Sequence, residues 1–306
     1  MFRMLLPALA ALLTLTTPLA AQERAFLGWG RLFTNDFFGD GQDRWHTGSW
    51  TASVLRGPEG TADLPERFGA LMEYRFAAKI LAPANLVTPA PGDRPYAGSL
   101  SFGAFSHFRQ AGTEFSLGAS LVAVGPMTGL DSFHALAHNA LGMTPPSAAV
   151  RAAQLPNAFY PTLSAEIARP LALGGEAAVI RPFIGARAGD ESFVRVGADL
   201  LIGPNFTRGV LARDETTGLP YQTLAGAGGR GFSFLLGADT ARVFSSAYLP
   251  ASRGYRLTPA RNRLRAGVNW QGEHLSLFYG AAWLGPEFSA QPGGQIVGAL
   301  QIRMSF

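Results

Sequence analysis

Gln295-Ile296-Val297-Gly298-Ala299-Leu300-Gln301-Ile302-Arg303-Met304-Ser305-Phe306 closes the sequence. Read as a strand, it sends successive side chains to opposite faces. Ile296, Gly298, Leu300, Ile302, Met304 and Phe306 then share one face, and Gln295, Gln301, Arg303 and Ser305 share the other. One face suits hydrocarbon and the other suits water, which is what a membrane-spanning β-barrel demands of each strand.

The same alternation recurs upstream. Phe115, Leu117, Ala119 and Leu121 oppose Glu114, Ser116, Gly118 and Ser120. Val194, Val196, Ala198, Leu200 and Ile202 oppose Arg195, Gly197 and Asp199, and Leu264, Ala266, Val268 and Trp270 oppose Arg263, Arg265 and Asn269. Charge inside a strand is costly unless paired or hydrated. Here it keeps to one face, which fits a polar lumen. A soluble β-sandwich also alternates, but it turns its charged face to outside water and has no use for the terminal aromatic. Ending on Phe306 resembles the C-terminal strand signal of barrels assembled in the bacterial outer membrane.

Twelve strands are predicted, starting near Ala25, Thr47, Arg67, Tyr96, Thr113, Phe159, Ala177, Phe193, Gly231, Asn262, Leu275 and Gly294. The fold expected is all-β, a twelve-stranded antiparallel transmembrane barrel, and the even number fits the bacterial rule. Both termini then lie in the periplasm, odd connections face outside and even ones face the periplasm. Residues 204–230 strain the rule of short periplasmic turns: either an extra element sits there or the strand count slips.

Arg3, the apolar run Met4 to Leu13 and the small-residue segment Pro18-Leu19-Ala20-Ala21 predict a signal peptide over residues 1–21, with 22–306 as the barrel. The run is too short for a spanning helix; an N-terminal anchor is the alternative. There is no cysteine, which excludes disulfides and thiol chemistry. The formal charge is +4, Lys79 is the only lysine, and no basic run suggests nucleic acid. Nothing implies an obligate protein partner.

Chemistry concentrates in the odd connections. The first offers oxygen ligands in Asn35, Asp36, Asp40 and Asp43, a set suited to calcium, though without EF-hand spacing; a turn-rich surface loop has the same composition. The third ends Gly92-Asp93-Arg94-Pro95-Tyr96-Ala97-Gly98, where Arg94 can clamp a phosphate or pair with a neighbouring carboxylate. In the fifth, Leu130 to Leu141 reads as a helix with Thr128 as N-cap and Gly142 as stop. Asp131, His134 and His138 share one face by their spacing of three and four. Three readings of that face stand: a capping helix with solvated histidines, a general base, or a zinc pair. The zinc reading lacks an HExxH pattern and a third ligand of recognisable spacing. In the eleventh connection, Trp283 suits an interface belt, and Glu287 serves the site or is solvated.

Taken in order, these residues resemble a known family. Asn35-Asp36, Asp43-Arg44, Thr47-Gly48, Asp93-Arg94-Pro95-Tyr96-Ala97-Gly98, Gly125-Pro126, His138 four residues before Gly142, and Pro286-Glu287-Phe288 together look like the outer-membrane lipid A 3'-O-deacylases. The resemblance covers essentially the whole mature chain. It implies a calcium-dependent esterase that removes the 3'-linked acyloxyacyl group of lipid A by a mechanism similar to that of phospholipase A2. His138 matches the histidine that activates water, and Asn35, Asp36 and Thr47 match the essential polar positions beside it. The implied metal ligands are Asp36, Asn35 and Asp43; Arg94, Arg44 and His134 are the implied substrate contacts. The implied partners are lipopolysaccharide and the outer membrane, with the active site facing the outer leaflet. Three departures stand out. His134 occupies a position where many relatives have glutamine, Gly189-Asp190 stands where they tend to have Gly-Asn, and a basic residue expected between Leu81-Ala82-Pro83 and Arg94 is missing.

Two other readings compete with the deacylase. A non-catalytic barrel, channel or adhesion scaffold, requires in its channel form a wide hydrated lumen, which twelve strands with a charged interior do not leave. An outer-membrane phospholipase would use a serine nucleophile with histidine; no Gly-x-Ser-x-Gly elbow occurs, but barrel lipases need not have one, so this alternative stays open.

Overall fold

A computed structural model describes residues 24–175, 177–225 and 229–304. The signal-peptide reading of residues 1–21, together with Ser305 and Phe306, lies outside the described residues.

Twelve long strands form the wall: β1 (Ala25–Asn35), β2 (Trp45–Gly57), β3 (Leu71–Ala82), β4 (Ala97–Gln110), β5 (Thr113–Val124), β6 (Ala158–Ala168), β7 (Ala178–Ala188), β8 (Glu191–Ile202), β9 (Gly231–Ser246), β10 (Arg261–Gln271), β11 (Leu275–Leu284) and β12 (Gln295–Met304). Each pairs antiparallel with its sequence neighbours, and β1 pairs with β12 to close the cylinder. A two-residue strand, Leu171–Ala172, extends the sheet beside β7. Eleven of the expected starts fall within two residues of the observed ones. The exception is Arg67, four residues early: its carbonyl accepts from Ala70 and Gly69 sits at φ +77°, so a turn delays β3.

The alternation does what the sequence requires. Leu121, Leu163, Val196, Leu236, Leu264 and Ile302 are exposed on the wall, while Arg195, Asp199, Asp239, Arg263 and Arg265 are buried in the lumen. Those charges neutralise one another: Asp239 accepts from Arg195, Arg263 and Arg265, and Asp199 from Arg213 and Arg265. Among the described residues, no helix is long and apolar enough to cross a membrane.

The long eighth connection does contain an extra element, and the strand count does not slip. A short helix, Pro204–Thr207, leads into an antiparallel hairpin, Gly209–Arg213 with Pro220–Ala225. This hairpin enters the lumen. Leu219 and Tyr221 pack against Leu32 of β1, Phe278 of β11 and Ala299 of β12. Tyr221 Oη lies 2.8 Å from Ser53 Oγ, and Arg213 reaches Glu166 at 2.6 Å. At the tip, Glu215 pairs with Arg187 at 2.7 Å. The hairpin thus occupies much of the lumen, and a cavity of about 230 Å³ remains, bordered by residues such as Arg75, Lys79, Glu166 and Arg181.

The odd connections gather at the other end of the cylinder. The fifth carries α1 (Leu130–Leu141) and α2 (Ala148–Ala152). Helix α1 is bounded by Gly129 (φ +68°) and Gly142 (φ +69°). Thr128 is thus not its N-cap; its hydroxyl donates to Gly125 O and receives only a long 3.4 Å contact from Leu130 N. The helix lies close to the wall because β4 presents Gly98 there: a Cβ would sit 2.4 Å from Thr128 Oγ1.

Candidate active site

Helix periodicity, applied to α1, buries Asp131, His134 and His138 and exposes Phe133, Leu136 and Leu141. The buried face meets the wall at Tyr96, which packs with Ile80, Ala82, Leu86 and Val150, and with Leu130 of the helix itself. Arg151 of α2 holds Asp131 at 2.8 Å and so ties the two helices together.

The two histidines meet at their Nε2 atoms, 2.8 Å apart, with the rings nearly perpendicular. Each Nδ1 is engaged elsewhere: His138 Nδ1 with Thr144 O at 2.7 Å, His134 Nδ1 with Tyr96 Oη at 3.1 Å. Burial pushes the Tyr96 phenol well above its ordinary pKa, and the charges of Asp131 and Asp43 add to this, so it stays a neutral hydroxyl. From the first connection, Asp43 brings Oδ2 to 3.1 Å from His138 Nε2 and 3.6 Å from His134 Nε2. Both Asp43 oxygens are buried and neither receives a hydrogen bond.

The first connection is shaped to deliver Asp43. Asn35 Oδ1 caps the turn Asp36–Phe38 by accepting from Phe37 N at 2.8 Å. Asp36 is buried, and its Oδ2 accepts from Arg44 N at 2.8 Å. Burial raises its pKa to about 8, against that hydrogen bond and with help from the charges of Asp43 and Asp40. Asp40 accepts from Ile296 N at 3.0 Å and from Arg44 at 2.9 Å, which fastens the loop to β12. Gly39 permits this approach, since a Cβ would lie 2.0 Å from Ile296 O. Trp45 then starts β2 in the left-handed region at φ +53°. Such backbone strain in a non-glycine residue persists only where surrounding contacts enforce it. A bulge in the β2–β3 register skips Thr47, whose hydroxyl is buried without a partner.

A second cluster lies alongside. Glu287 receives Arg94 at 2.8 Å, His46 at 3.1 Å and Arg261 at 3.1 Å. Burial would raise the Glu287 carboxyl, but Arg261, His46 and Arg94 hold it well below the usual carboxylate range.

A family model described as "Outer membrane protein LpxR" matches residues 6–306. The chain belongs to the LpxR family. LpxR from Salmonella typhimurium superposes with a TM-score of 0.73 at 16% identity, covering 91% of this chain and 100% of that one. The β domain of the Bordetella autotransporter BrkA (TM-score 0.44, 11% identity, 92% and 100% coverage) is a more distant likeness. No curated protein sequence matches. Family and fold together place the chain in the outer membrane.

Within this LpxR-type barrel the residues singled out from sequence divide into groups. Asp43, His134 and His138 converge. Asp36 feels the charge of Asp43, but among the described residues no hydrogen bond or ion pair joins Asn35, Asp36 or Thr47 to the histidines. Arg44 lies over the Trp45 ring and pairs with Asp40, with a side chain 21% exposed. Arg94 is only 2% exposed and is committed to Glu287, and His134 is equally buried, so both stand behind the accessible surface. Glu287 itself is an ion-pair centre and is not solvated. Sequence reasoning gave no role to Tyr96, Thr144 or His46. Tyr96 lies in a quoted motif, whereas Thr144 and His46 carry no local signal.

Proposed function

We propose that the chain is a lipid A deacylase that hydrolyses the 3'-linked acyloxyacyl ester by attack of water, with His138 as the base. The observation that carries this is the fixed tautomer of His138. A carbonyl oxygen only accepts, so Nδ1 carries the hydrogen toward Thr144 and the neutral ring keeps a lone pair on Nε2. That nitrogen sits between barrel wall and loop helix. There it takes a proton from water as oxygen attacks the ester carbonyl, and it returns the proton to the leaving alkoxide.

The oxygen-rich first connection fits a hard cation: Asp43 has two buried oxygens without donors, and Thr47 has one. Asn35, Asp36 and Asp43 would hold calcium, which when bound polarises the ester carbonyl and stabilises the oxyanion. The remaining residues position and exclude. Tyr96 orients His134 beside the base, and Glu287 with Arg94 braces the third connection against the eleventh. Arg44, half-buried at the rim, meets a phosphate of the substrate.

Exposed Phe37, Phe38, Met127, Phe133, Leu136 and Leu141 make the loop end apolar, which suits a site opening on the outer leaflet and a lipid substrate. The test is the mass of lipid A from cells with and without the protein. Loss of one acyloxyacyl unit is expected, and an unchanged mass with folded barrel in the membrane would reject the reading.

A further inference from the structure

Asp43, His134 and His138 form a donor set of a different character from the oxygen ligands around them. Their three ligand atoms lie within 4.8 Å of one another. Ligands on a tetrahedral zinc with bonds of about 2.0–2.1 Å are separated by about 3.3 Å. The observed separations, 2.8, 3.1 and 3.6 Å, bracket that distance, so side-chain adjustments of a few tenths of an ångström suffice.

We propose that Asp43, His134 and His138 bind a first-row transition-metal ion of the zinc class. The supporting observations are independent of one another. The first is donor chemistry: two imidazole nitrogens with one carboxylate suit zinc and its neighbours, whereas calcium takes oxygen ligands throughout. The second is orientation. Both Nδ1 atoms are occupied, by Thr144 O and Tyr96 Oη, and ligating histidines in metal sites are oriented by such outer partners. The third is the buried Asp43 carboxylate, which receives no hydrogen bond from any donor. A buried carboxylate is costly without a compensating positive charge. Three protein ligands leave a fourth position for water or a substrate oxygen, as in sites that remain open.

For its effect on turnover the proposal rests on the role given to His138 above. A metal on His138 Nε2 takes the lone pair that would receive the proton from water, so zinc inhibits the calcium-supported reaction.

The test uses the full barrel, without a histidine tag, stripped of metal and folded in detergent. Zinc chloride and calcium chloride are titrated separately by calorimetry, and cobalt(II) is added as a visible-absorption probe of coordination. One zinc per chain is expected, with a tetrahedral cobalt spectrum. His134→Gln and Asp43→Asn, each checked for heat-modifiable migration, should each weaken zinc at least about 10–100-fold, the scale seen even for outer-shell partners. Absence of saturable zinc binding, or affinity unchanged in both folded variants, overturns the site. Turnover reports separately on His138. Zinc that binds without inhibiting leaves this site standing and removes the single-base role, while an inactive His138→Ala in a protein that never binds zinc does the reverse.

Discussion

His138 directs Nδ1 at the carbonyl oxygen of Thr144, 2.7 Å away, across the turn that ends its own helix. The contact puts the hydrogen on Nδ1 and the lone pair on Nε2, the nitrogen that meets His134 Nε2. A positioned base contributes about 10²–10⁴-fold. His138→Ala is expected to lose about that much turnover on purified lipid A while keeping heat-modifiable folding. Near wild-type turnover in a folded His138→Ala protein would remove the base.

Chelation should abolish activity reversibly, and calcium should restore it better than magnesium, because a loop site suits the larger and less demanding ion. Asp36→Ala is expected to be inactive at all calcium concentrations yet folded. Full turnover in excess chelator argues decisively against a metal role.

Leu236, in the body of β9, is exposed on the lipid face and pairs with Leu200 and Ala266. Leu236→Arg is expected to cost about 2–4 kcal/mol in urea unfolding from liposomes, the midplane value for arginine. An unchanged midpoint would mean that this face does not meet hydrocarbon.

The Glu287 cluster makes the loop end acid-sensitive. Its carboxyl has a folded pKa well below the ordinary glutamate value of 4.5, so its contribution is complete above that pH and is lost as pH falls toward the folded value. Stability is expected to be level from neutrality to about pH 5 and to decline below about 4.5. Glu287→Gln should flatten that decline and start about 3–5 kcal/mol lower, since Arg94 is left buried without its carboxylate, while Arg261 keeps Glu191. Parallel pH profiles for the two proteins would assign the acid response elsewhere.

The lumen hairpin separates this barrel from a channel. Wild-type protein is expected to be silent in planar bilayers, and replacing residues 209–225 with a short polar linker should produce step currents. Silence from a correctly folded deletion would mean that the ion-paired wall residues block the lumen unaided.

The strands were legible because the lipid and lumen impose opposite demands on alternate residues, and Arg195, Asp199, Arg263 and Arg265 record those demands directly. The pairing of His134 with His138 was legible for the analogous helical reason. Asp43 as their shared partner was not: it arrives from a loop some ninety residues earlier, fixed by the Asp40–Ile296 contact across the barrel closure. The Arg94–Glu287 pair spans 193 positions and is equally silent in sequence. Residues 204–230 stood out as too long for a turn, but the hairpin itself was not legible, because strands of five and six residues, one beginning at a positive-φ glycine and one at a proline, carry too little alternation to register.

That hairpin also straddles the join between the chain's two ends. The described register across the join is Phe33 to Leu300, Thr34 to Ala299 and Asn35 to Gly298. Toward the termini, Gln301 Nε2 of β12 donates both to Arg31 O of β1 and to Gln222 O of the hairpin, and Arg303 reaches the Gln222 side chain at 2.6 Å. On the other flank, Gln222 O and Thr223 O come so near Gly30 and Gly28 that a Cβ at either position would meet them at 2.7 and 3.0 Å. A mid-chain segment, synthesised before the last four strands exist, thus rivets the first strand to the last. Sealing the cylinder and seating the hairpin become one event in biogenesis. A bulky residue at Gly28 or Gly30 would then show itself as protein stalled before insertion, with every catalytic side chain intact.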